Sequence, residues 1–186
     1  ASWGLFLQKP SDLGFSDAGY RLPPMNIHYH KLPSIERPDE FAPDGKMKLG
    51  HDAAMGLTDA AREKRDSIEI RAAAIVNDSP DEHFVIWHDL EDERKALKKA
   101  IPDMIDIYGS MELETREKRV MDFAQGRTRL FGTKKSLSGS GCNFQRFCHR
   151  AIFMGIDYEF NDFIQAVHRI YRFLQDKPVV IDILYM

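Results

Sequence analysis

Phe84-Val85-Ile86-Trp87 is a short apolar run bounded by polar residues, and reading it as a strand decides how the rest of the chain folds. Four consecutive apolar residues suit a strand covered on both faces better than one with a wet side. Glu91 to Ala100 then reads as helix, stopped by Pro102. Met104-Ile105-Asp106-Ile107-Tyr108 reads as a second strand, with a turn at Gly109-Ser110. Leu113, Val120, Met121 and Phe123 mark the inner side of a helix ending at Gly126, and Thr128-Arg129-Leu130-Phe131 follows as a third strand. Cys142 to Phe147 is helical or turn-like, and Ala151-Ile152-Phe153-Met154 is a fourth strand. Phe160 to Leu174 is expected as a helix, and Val179 to Leu184 as a last strand. Upstream, Thr58 or Asp59 can cap a helix whose inner positions are Ile68, Ala72, Ile75 and Val76, ending near Asn77-Asp78-Ser79-Pro80. Strands alternating with helices predict an α/β fold with a mostly parallel sheet covered on both faces. Ligands in such folds gather beyond the carboxyl ends of the strands. The expected functional edge is therefore the loops opening at His88, Gly109, Gly132 and Gly155.

Residues 1–60 differ in character. Pro10, Pro23, Pro24, Pro33, Pro38 and Pro43 bias them away from helix, and they read as an irregular lead-in. Residues 26–32 alternate enough for an edge strand. His28 and His30 would share one face of it, but the sequence offers no third ligand of convincing spacing, so no metal site is expected. With 43% hydrophobic and 30% charged residues, the composition is that of a globular domain, and a net charge of -3 argues against binding nucleic acid through bulk charge. Cys142 and Cys148 lack CxxC spacing, which predicts a reduced, intracellular protein without disulfides. No apolar run approaches the roughly 20 residues needed to span a membrane.

Two stretches carry chemistry. Gln165-Ala166-Val167-His168-Arg169-Ile170-Tyr171-Arg172 sets two arginines three apart, with a glutamine one helical turn before the first. Guanidinium groups match phosphate oxygens two at a time and stabilise charge developing during phosphoryl transfer. The loop Gly132 to Asn143 combines Lys134 and Lys135 with Ser136, Ser138, Gly139, Ser140 and Gly141, a composition suited to phosphate contact through lysines and backbone amides. The chain has no GxxxxGK followed by Ser or Thr, and neither Asp39-Glu40 nor Asp81-Glu82 ends a buried apolar strand as a magnesium-binding pair would. Phosphate-seeking arginines without a P-loop imply a site completed on another domain.

From about residue 65 onward, roughly two-thirds of the chain, the sequence resembles the C-terminal RecA-like domain of superfamily-two helicases, nearest the Swi/Snf-type translocases and their phage- and prophage-encoded relatives. Phe84-Val85-Ile86-Trp87 resembles motif IV, and Tyr108-Gly109-Ser110 with Glu114, Arg116, Glu117, Phe123 and Gly126 resembles the segment that follows it. Ser138-Gly139-Ser140-Gly141-Cys142-Asn143-Phe144 resembles motif V, with Ser138 in place of a usual glycine. Gln165, Arg169 and Arg172 resemble motif VI, and the "RxGQxxxV" ending is matched at Arg172, Gln175 and Val179, with Leu174 where the family has glycine.

The resemblance implies a three-layer RecA-like domain over residues 61–186, joined through residues 1–60 to an N-terminal ATP-binding RecA-like domain. It implies that Arg169 and Arg172 act as fingers on ATP and Mg2+ held by that domain. Gln165, Gly141 and Asn143 would lie at the nucleotide, and Asn143 stands where related helicases often have Asp. Gly109, Ser110, Lys134, Lys135, Ser138 and Gly139 would follow the DNA backbone. The setting implied is the cytoplasm of a bacterium, or phage-associated. A non-catalytic nucleic-acid- or protein-binding module that retains the fold is the alternative.

Overall fold

A computed structural model describes residues 9–17, 20–32, 68–138, 142–155 and 160–185. Its six strands are β1 (Met25–Lys31), β2 (Phe84–Trp87), β3 (Ile105–Asp106), β4 (Leu130–Thr133), β5 (Arg150–Phe153) and β6 (Val179–Tyr185). They form one sheet in the order β1-β6-β5-β2-β4-β3, and every neighbouring pair is parallel. The helices are α1, described over 68–77, α2 (Glu91–Ala100), α3 (Leu113–Ala124) and α4 (Phe160–Val167).

The alternating side chains of β2 split the core in two. Phe84 and Ile86 face one layer, where they cluster with Ala72, Ile75 and Val76 of α1 and Leu97 of α2. Val85 and Trp87 face the other, with Phe123 of α3 and Ala166 and Val167 of α4. Trp87 is buried and stacks on Phe153 with ring centroids 6.2 Å apart, so it is a core residue closed to any base. Apolar surface removed from water on both sides explains why all four residues of β2 are apolar. The acidic run that opens α2 suits a helix start: Glu91, Asp92 and Glu93 occupy its first turn, and the Glu93 carboxylate accepts the amides of Asp89 and Leu90 at 2.9 Å each.

Several boundaries differ from the sequence expectation. The strand expected at Met104–Tyr108 pairs only over Ile105–Asp106, because it is an edge with a partner on one side. Gly132 does not open a loop. It lies inside β4, paired with β2 and β3 on either side, where a Cβ would come within 2.8 Å of Met104 Sδ. The edge strand expected at 26–32 is present as β1, in register with β6 from Met25 opposite Val179 to Lys31 opposite Tyr185. The start of the helix expected from Thr58, and the loop expected over Phe41 to Leu57, lie outside the described residues.

The largest correction concerns Phe160 to Leu174. The helix ends at Val167. Beyond it the amides of Arg169 and Ile170 bond three residues back, to Ala166 and Val167 at 3.1 Å each, so the chain tightens and leaves the helix. This drives Ile170 into the core with no exposed surface. Gln175, also buried, donates from Nε2 to the carbonyls of Ile170 and Cys148 at 3.0 Å each, tying the irregular segment to the chain just ahead of β5. Leu174 sits at φ +73°, a left-handed conformation that a side chain with a Cβ adopts at a cost. Leu174→Gly is therefore expected to stabilise the domain by about 0.5–1 kcal/mol in chemical denaturation, the Leu174 side chain being half exposed with little packing to lose.

Candidate functional site

The arginine segment and the glycine and lysine loops lie at opposite ends of the strands. Gln175 anchors the segment to Cys148, and Cys148 Sγ donates to the carbonyl of His83, so both contacts fall at the amino ends of β5 and β2. The loops after β3 and β4 emerge at the carboxyl ends. The expected functional edge thus holds the described nucleic-acid candidates but not the arginines.

At the amino end, Gln165, His168, Arg169 and Arg172 line one open concavity of about 340 Å³. Gln165 is on the last turns of α4, and the arginines follow on the tightened turns, so a continuous helical face does not bring them together. Arg172 donates from Nη1 to the Asn143 side-chain carbonyl, which holds an otherwise exposed guanidinium. Arg169 is half-buried, with Nη1 3.5 Å from the Cys142 carbonyl. Its backbone carbonyl accepts the Phe144 amide at 3.0 Å, so the segment resembling motif V and the arginine turn are joined along their backbones. Desolvation raises the pKa of the Cys142 thiol against the pull of Arg169. Burial pushes Cys148 up to about 12, and both cysteines are free thiols. His168, not among the candidates drawn from the sequence, also lines the concavity, with Nδ1 donating to the Tyr171 carbonyl at 3.0 Å. Its position next to Arg169 was the available signal.

At the carboxyl end, Gly109 and Ser110 form the exposed tip of a turn closed by the Met111 amide on the Tyr108 carbonyl at 3.1 Å. Lys134 follows β4 half-buried, and its carbonyl accepts the Leu137 amide at 3.1 Å and the Ser138 hydroxyl at 3.4 Å. Ser138 is buried. Lys135 is buried as well, its Nζ 3.2 Å from Asp89 Oδ2, so it braces the loops after β2 and β4 against one another. Gly139 and Gly141 lie outside the described residues. Of the nucleic-acid candidates, Gly109, Ser110 and Lys134 share this end in reach of solvent, whereas Lys135 and Ser138 are turned inward.

His88 is buried beside them. Desolvation, with Lys134 and Arg94 nearby, lowers its pKa from 6.5 to about 4, while the Leu90 backbone and Glu91 oppose the shift without reversing it. An unfolded chain takes up this proton near pH 6.5, and the native state only near pH 4. Stability is therefore unaffected above the upper value and falls through that interval, by roughly 3 kcal/mol at most. Urea unfolding at pH 7 and pH 4.5 is expected to show this loss in the native sequence and not in His88→Gln.

No family model matches the sequence, and no curated protein matches it. Among solved structures, the chain is similar to the crystal structure of the C-terminal part of the Fun30 ATPase domain, with a TM-score of 0.54 and 20% identity. The fold is RecA-like. The match covers 64% of this chain and 39% of that one, and at this identity it carries the fold alone. No helix among the described residues is long and apolar enough to cross a membrane.

Proposed function

We propose that this domain is the second half of an ATP-dependent motor of the superfamily-two helicase or translocase kind. In this reading Arg169 and Arg172 reach ATP and Mg2+ held on a separate N-terminal RecA-like domain of the same protein. Gln165 and Asn143 position them, and Gly109, Ser110 and Lys134 follow the backbone of a DNA strand.

One observation carries the reading: on a RecA-like sheet, Gln165, Arg169 and Arg172 converge on one open concavity, with Asn143 bonded to Arg172. Two guanidinium groups lining one open concavity, Arg172 exposed and Arg169 half-buried, with a carboxamide beside them, can surround a triphosphate arriving on another surface. The described lining, Gln165, His168, Arg169 and Arg172, includes no nucleophile, so the chemistry it supports is charge stabilisation. Closure of two domains around ATP would complete the site, and hydrolysis would release them.

The test is ATP turnover, with and without DNA, by the protein carrying both domains. DNA-stimulated turnover that requires Arg172 supports the reading. Turnover indifferent to Arg172→Ala overturns it, and a native protein without turnover favours a binding module.

A further inference from the structure

The histidine pair on β1 gains a third partner from the sheet. His28 and His30 are two apart and leave the same face of the strand, and the parallel register sets His28 opposite Asp182 of β6. His28 Nδ1 is 3.4 Å from Asp182 Oδ1, and His30 Nε2 is 2.7 Å from the same oxygen. All three ligand atoms lie within 4.8 Å of one another. We propose that His28, His30 and Asp182 form a binding site for a divalent transition metal, Zn2+ fitting best, that clamps β1 onto β6.

Two imidazoles and a carboxylate are a donor set that Zn2+ takes at about 2.0–2.2 Å, leaving a fourth position for water. The site is built from inside outward. Asp182 has a side chain only 2% exposed, while that of His28 is 55% exposed and gives an ion access from solvent. Arg150 Nη2 donates to the other carboxylate oxygen, Oδ2, at 3.2 Å, and Arg150 Nη1 is fixed on Ser79 Oγ at 2.7 Å. Oδ1 is thereby turned toward the histidines, an outer shell of the kind that orients metal ligands.

Two neighbouring arginines bear on what binds and how. Arg150 already balances the Asp182 charge, so a cation gains little from simple attraction and must form good bonds to imidazole nitrogen. That favours Zn2+ over Mg2+ or Ca2+, which seek oxygen. Arg71 Nη2 lies 3.2 Å from His30 Nδ1. Metal on Nε2 leaves the ring proton on Nδ1, so the exposed Arg71 side chain must swing away as the ion enters.

The full chain, stripped with EDTA, would be titrated with ZnCl2 by calorimetry and by thermal unfolding, with MgCl2 in parallel. One equivalent should bind with a rise in Tm that Mg2+ does not produce, and Co2+ in its place should give visible d–d absorption. His28→Ala, at an exposed position, should keep the metal-free Tm and weaken Zn2+ binding at least about tenfold. His30→Ala should weaken Zn2+ binding as much while lowering the metal-free Tm, because the 2.7 Å bond to buried Asp182 is lost. Absence of saturable Zn2+ binding, or binding that survives both substitutions, would overturn the proposal. None of these readouts depends on ATP turnover, so they stand or fall apart from the motor reading.

Discussion

Arg172→Ala is expected to lower ATP turnover by about 10³-fold or more in the protein carrying both motor domains, the range over which an arginine finger acts. The guanidinium is exposed, and among the described residues the side chain that fixes it is Asn143, so the fold should barely register its loss. ATP affinity should change little, because in this reading the partner domain holds the triphosphate and Arg172 meets charge that appears only in the transition state. Arg172→Lys should recover little, since an ammonium cannot present the planar fork that spans two oxygens. Steady-state turnover, ATP binding and the unfolding midpoint separate these effects. A variant that hydrolyses ATP at the native rate would remove Arg172 from the site.

Phe144→Ala should be among the most damaging single changes in the core, costing about 3–5 kcal/mol. Phe144 is fully buried, edge-on to Phe123 with centroids 5.0 Å apart and to Phe131 at 5.8 Å. Its carbonyl accepts the amides of Phe147 and Cys148, and its own amide bonds to the Arg169 carbonyl. Losing the ring opens a cavity beneath the arginine turn as well as removing buried area. Against a typical domain stability of about 5–15 kcal/mol, the alanine variant is expected to be only marginally folded, so Phe144→Leu supplies the milder test. It should remain folded, with a lower unfolding midpoint and reduced turnover as the arginine turn loosens. A midpoint unchanged in Phe144→Ala would contradict the packing described.

The alternation of strands and helices was legible because strands buried on both faces are nearly continuous apolar runs, as at Phe84–Trp87. Element ends were less so, because partners distant in sequence set them. The apolar spacing from Phe160 to Leu174 continues a helical pattern, yet the Gln175 bonds to Cys148 and Ile170 hold its second half in tightened turns. Gln165, Arg169 and Arg172 stood out by residue type, and the structure gathers them by a different geometry. Lys135 looked available beside Lys134, and no local pattern announces that Asp89 holds it inward. Likewise, Asp182 could not be paired with His28 and His30 until the register of β1 on β6 was known.

The strands between the two ends of the sheet are short. β2, β4 and β5 have four residues each, a span of about 13 Å at roughly 3.3 Å per residue. Cross-linked by hydrogen bonds and covered by helices on both faces, they make a stiff lever with the arginines at one tip and Lys134 and Ser110 at the other. A tilt of roughly 10° imposed at the arginine tip would carry the far tip about 2 Å. If the domain works as the proposed motor half, a stroke of that size would need no hinge within it, because a rigid sheet would deliver it.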